Sequence, residues 1–179
     1  MDRIGIFSIA SLLALAIASP AKADELFAGI ASQDIATPVA MDTGAEGVDF
    51  QLGYRGNRIE ALSFIGKPSP YILASVNSAG DTSFAAAGLS WKFGDRFYLR
   101  PGIGIAIHDG PELQLAADGS QTQLGSRVLF EPELSVGVRL SEKADIEATW
   151  VHLSHARIFS GVQNPGLDIF GVRLVFELP

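Results

Sequence analysis

The sequence predicts an all-β protein: an eight-stranded antiparallel transmembrane β-barrel of the outer-membrane type. Three observations point to it. Apolar and polar residues alternate over segments of ten or more residues, the segments number eight, and tight and long connections are interspersed between them. A membrane-spanning strand needs about 9–11 tilted residues, apolar outward and polar inward. Strands of a soluble sandwich average about five or six. Eight is the smallest standard size for such a barrel, whose interior is filled by side chains.

Composition narrows the function classes. The chain is 47% hydrophobic and only 18% charged, which excludes a coiled coil or a disordered tail. With no cysteine it has no disulfide, thiolate metal site or cysteine nucleophile. Thirteen basic against 20 acidic residues give no positive field for phosphate, so no nucleic-acid partner is expected.

The first element, residues 1–23, reads as a secretory signal peptide. Arg3 precedes an apolar run from Ile4 to Ala18, and Ala21-Lys22-Ala23 supplies the small residues of a cleavage site. The run is too short to span a bilayer as a helix, for which about 20 residues are needed. Residues 24–179 form the barrel domain, and the expected location is the outer membrane of a Gram-negative bacterium.

The strands are expected near 25–32, 46–55, 70–77, 82–93, 96–108, 126–140, 145–154 and 168–177. In the second, Val48, Phe50, Leu52 and Tyr54 oppose Asp49, Gln51, Gly53 and Arg55. Between the second and third strands, the 56–69 connection is long for a periplasmic turn. The fourth and fifth meet at the tight Gly94-Asp95 turn, where Trp91, Phe93 and Phe97 read as an outward aromatic girdle. In the fifth, Phe97, Leu99, Ile103, Ile105 and Ile107 oppose Tyr98, Arg100, Gly102, Gly104 and His108. The sixth sets Val128, Phe130, Leu134, Val136 and Val138 against Arg127, Glu131, Glu133, Ser135 and Arg139. Arg100, Arg127, Arg139, Glu131 and Glu133 are therefore expected in a lumenal charge network. The long connections near 33–45, 109–125 and 155–167 fall at the extracellular end.

The last two strands break the rule. By parity Ile146, Ala148 and Trp150 face lipid, and so do His152 and Ser154. In the eighth strand Phe170, Val172, Leu174 and Phe176 face lipid, which puts Asp168 outside as well. Polar groups there are costly, because they lose their water. A register that sets Asp168 opposite His152 gathers all three beside the 155–167 loop, and residues i and i+2 of a strand lie only about 6.6 Å apart. The residue types are those of a nucleophile, its base and an orienting acid. His-x-Ser is a short string, and residues at a strand's outer end also sit in the headgroup zone without any catalytic role.

His152-Leu153-Ser154 with an acid opening the last strand resembles the PagL-type lipid A 3-O-deacylases, and the similarity extends over roughly 70–176. It takes in Pro101-Gly102-Ile103-Gly104-Ile105-Ala106, Leu124-Gly125-Ser126-Arg127-Val128-Leu129-Phe130 and Asn164-Pro165-Gly166-Leu167-Asp168. The resemblance implies a serine esterase embedded in the outer membrane, whose catalytic Ser154, His152 and Asp168 stand on the outside of the barrel. It implies lipid A in lipopolysaccharide as substrate, hydrolysed at the ester-linked 3-hydroxyacyl chain, with no cofactor and no metal. Best-known members carry Glu where this chain has Asp168. They carry Asn and Gly where it has His155 and Arg157, so no oxyanion residue is assigned. Phe159, Trp150 and Phe170 are candidates for an acyl groove. Two other readings remain at this point: a non-enzymatic small barrel for structure, adhesion or ligand binding, and a soluble periplasmic lipid-binding barrel.

Overall fold

The computed structural model describes residues 23–40, 47–110, 124–158 and 164–178. Nearly all of the predicted signal peptide lies outside them, as does Phe159. Nine strand segments appear: β1 (Ala23–Ser32), β2 (Val48–Gly56), β3 (Ser69–Asn77), β4 (Phe84–Ser90), β5 (Phe93–Gly94), β6 (Phe97–His108), β7 (Val128–Arg139), β8 (Ala144–Leu153) and β9 (Leu167–Glu177). Every neighbouring pair is antiparallel, and β1 pairs with both β2 and β9. Both β4 and β5 pair with β6, so β5 is the continuation of β4 past Trp91-Lys92. The sheet thus closes into an eight-staved barrel without an open edge, which is what a bilayer demands of a β-structure.

The alternation read from sequence is the alternation of the wall. Along β6, Phe97, Leu99, Ile103, Ile105 and Ile107 are exposed, while Tyr98, Arg100, Ala106 and His108 are buried. The lumen is a packed charge lattice rather than a channel. Arg55 Nη1 lies 2.7 Å from Glu25 Oε2, and Arg100 reaches Glu25 and Glu147 at 2.8 and 2.9 Å. Arg173 Nη1 meets Glu133 Oε2 at 2.8 Å, and Tyr71 donates to Glu131. The Phe27 ring lies between the Arg55 and Arg173 guanidiniums, 4.4 and 5.1 Å from its centroid. The buried arginines are thus each paired with a carboxylate, the condition under which their burial is tolerable, while Asp49 is held by neutral donors from Gln33, Ser75 and Asn77. Lumenal glycines make room for the rings: a Cβ on Gly137 would fall 2.1 Å from Tyr98 Cζ.

Two of the arginines expected in this lattice lie elsewhere. Arg139 is at the periplasmic rim, where it pairs with Asp95 at 2.7 Å. At the extracellular end, Arg127 donates to the carbonyls of His108 and Gly110. Alternation does not fix a residue's height along the wall, and Arg127 lies just before β7 begins. Glu25, Arg55, Glu147 and Arg173 complete the ion-pair lattice with Arg100 and Glu133.

The long periplasmic connection between β2 and β3 is also explained. It contains a six-residue 3-10 helix, Glu60–Ile65, stopped by Gly66 in the left-handed region at φ 92. Trp91, on the outward face, donates from Nε1 to the Ile65 carbonyl at 2.8 Å. The connection is folded against the wall rather than hanging below it.

Candidate active site

The site sits where β8 and β9 reach the extracellular end. His152 and Asp168 are direct cross-strand partners in the β8–β9 ladder. His152 Nδ1 lies 2.6 Å from Asp168 Oδ1. Because a carboxylate only accepts, Nδ1 is the donor in this contact. Short charge-assisted bonds of this kind fix an imidazole's orientation.

Ser154 is positioned by β7. The regular β7–β8 ladder runs as far as Glu133↔Val151, and an isolated bridge, Phe130↔Ser154, continues the same register beyond it. Between them lies Pro132, whose missing N–H removes a rung opposite His152. Phe130 N donates to Ser154 O at 2.7 Å, and Ser154 N to Phe130 O at 3.1 Å. The unbroken register puts the Ser154 side chain on the outward face with His152. Ser154 Oγ makes no hydrogen bond to the imidazole in this structure; such contacts are often long without substrate.

An outward-facing carboxylate would be untenable in hydrocarbon, yet Asp168 has 0% of its surface exposed and His152 only 12% of its side chain. The cover comes from residues 33–40, a segment without periodicity that gave no sequence signal. Ile35 N donates to the Asp168 carbonyl at 3.2 Å, and the Thr37 hydroxyl donates to Asp168 Oδ2. That hydroxyl in turn accepts from Val39 N and Ala40 N at 3.1 and 3.2 Å. Gly166 permits the approach. It sits at φ 72, and a Cβ there would fall 2.8 Å from the Val39 carbonyl oxygen and 2.9 Å from His152 Cε1.

Apolar rings flank the pair. The Trp150 and Phe170 rings stack with centroids 6.5 Å apart, and Trp150 lies 6.2 Å from the His152 ring. Residues 155–158 form a tight turn. His155 N donates to Asn164 Oδ1 and Arg157 N to His155 Nδ1, both at 3.1 Å. Ala156 and Arg157 are both left-handed, at φ 50 and 60. Among the described residues no group of three or more His, Cys, Asp or Glu side chains could hold a metal ion.

A family model described as lipid A 3-O-deacylase (PagL) matches residues 48–177. The crystal structure of the outer membrane enzyme PagL is similar in fold, with a TM-score of 0.58 at 16% identity, covering 86% of this chain and 99% of that one. Neisserial surface protein A gives 0.53 at 13% identity, covering 86% and 96%. A de novo designed transmembrane β-barrel gives 0.51 at 8% identity, covering 89% and 98%. A comparison with curated protein sequences finds no match.

Proposed function

This chain belongs to the lipid A 3-O-deacylase (PagL) family, and we propose that it is an outer-membrane serine esterase that removes the ester-linked 3-hydroxyacyl chain from the 3 position of lipid A. The observation that carries the reading is the 2.6 Å contact of His152 with Asp168 on the lipid side of the wall, two residues from a serine on the same face. A structural or adhesive barrel has no use for a buried imidazole–carboxylate pair there.

In this reading His152 Nε2 takes the proton from Ser154 Oγ as the oxygen attacks the ester carbonyl carbon. The tetrahedral intermediate collapses by breaking the bond to the sugar oxygen, which leaves as an alcohol with the proton from His152. Water, deprotonated by the same nitrogen, then attacks the acyl-enzyme and releases a 3-hydroxy fatty acid, restoring Ser154. Asp168 holds the imidazole in the tautomer this requires and stabilises its charged form. Trp150 and Phe170 line the wall where the departing acyl chain lies. The reaction draws on no metal or cofactor. Residues 1–23 serve as the export signal and 24–179 as the barrel.

The test is mass spectrometry of lipid A from cells carrying the wild type, His152→Ala or Ser154→Ala. One 3-hydroxyacyl chain is expected to be missing with the wild type only. An unchanged lipid A in all three would leave the non-enzymatic barrel.

A further inference from the structure

We propose that Thr37 is a positioning residue for the hydrolysis, acting through Asp168; the proposal rests on the Ser154–His152–Asp168 reading above. Asp168 has two carboxylate oxygens and no exposed surface. Oδ1 is engaged by His152, so Oδ2 needs a donor of its own, since an unsatisfied buried acceptor is costly. Thr37 supplies it. A hydroxyl has one proton and two lone pairs. Here Val39 N and Ala40 N occupy the lone pairs, so the proton has a single remaining direction, toward Oδ2. The carboxylate plane is thereby fixed with Oδ1 facing the imidazole. The first extracellular connection thus reaches across 131 residues of sequence to orient the acid.

The assay is steady-state hydrolysis of purified lipopolysaccharide by the refolded barrel, with heat-modifiable gel migration as the check on folding. Thr37→Val keeps the side-chain shape and removes the proton. It is expected to lower kcat roughly ten- to hundredfold, the loss of one hydrogen bond to a charged group, while KM stays within about twofold because the binding surface is intact. Thr37→Ser restores the hydroxyl and is expected to rescue kcat. Wild-type kcat in Thr37→Val, or equal loss in Thr37→Ser, overturns the proposal. Failure of both Thr37→Val and Thr37→Ala to fold would assign the residue to the barrel and overturn it too. Activity retained by Ser154→Ala would instead remove the underlying triad.

An independent observation at the opposite rim supports a second proposal. We infer that the 57–67 connection is a foot resting in the headgroup–acyl boundary of the inner, periplasmic-side leaflet. Its 3-10 helix is held to the outward Trp91 by the Ile65 carbonyl. Phe64 there is 79% exposed, and Ile65 is exposed beside it. The polar side closes on itself through Lys67 and Glu60 at 2.6 Å. Phe93 and Phe97, in the strands next to Trp91, are exposed at the same end of the barrel, and aromatic rings favour the membrane interface. Because the chain has no cysteine, Phe64→Cys and Glu60→Cys can each carry a single nitroxide in phosphatidylcholine vesicles. The label at 64 is expected to collide with oxygen in preference to a water-soluble nickel chelate, and the label at 60 to show the reverse. Equal, high nickel access at both positions places the foot in water, free for a soluble partner, and overturns the inference.

Discussion

Asp168→Asn is the sharpest probe of the mechanism, because the structure dictates which way the new amide must face. Thr37 accepts from two backbone N–H groups and has only a proton left to offer Asp168 Oδ2. An asparagine can meet that proton only with its carbonyl oxygen, so its NH2 must point at His152 Nδ1. A donor at that 2.6 Å position turns Nδ1 into an acceptor and moves the imidazole proton to Nε2. The ring then has no lone pair facing Ser154. Enforcing the wrong tautomer in a triad lowers kcat by about ten-thousandfold, equivalent to about 5.5 kcal/mol of barrel-wall transition-state stabilisation. Single-turnover deacylation of lipopolysaccharide measures it, with NMR of the imidazole nitrogens reporting the tautomer. A variant within tenfold of wild type, or one whose Nδ1 still carries the proton, would refute the reasoning.

Three further outcomes follow from the same coordinates. Gly166→Ala forces a Cβ toward His152 Cε1 and the Val39 carbonyl oxygen at a left-handed φ; it should reduce kcat while the barrel still folds, as judged by gel migration. Arg173→Met leaves Glu133 buried without its partner and should cost about 3–5 kcal/mol in urea unfolding from lipid vesicles. Its turnover per folded molecule should be unchanged, since Arg173 faces the lumen. Arg157→Gly relieves a left-handed φ of 60 and should raise stability by about 1 kcal/mol in the same unfolding measurement.

The wall was readable from sequence because its two faces meet different solvents. A period of two running through Phe97–His108 or Val128–Arg139 can satisfy lipid and lumen only in one register, and the exposed and buried residues follow it. The same parity exposed His152 and Asp168 as misfits, and the β8–β9 register pairs them. What escaped was everything without a period. Thr37 belongs to an irregular segment whose bond to Asp168 is a tertiary contact, so no local pattern reports it. The Glu60–Ile65 helix is too short for helical periodicity to show. Arg127 and Arg139 lie at opposite ends of the wall rather than in the lumenal lattice, because alternation carries no information along the barrel axis.

A barrel whose bore is plugged by ion pairs offers no tunnel, and a reactive group outside it meets only what the surrounding film brings. Glycolipid, released fatty acid and trimmed glycolipid would then all remain in one two-dimensional phase, so the free product competes for the wall that made it. Turnover under those conditions should scale with the mole fraction of lipopolysaccharide in the surface and fall when inert lipid dilutes it, even at fixed bulk concentration.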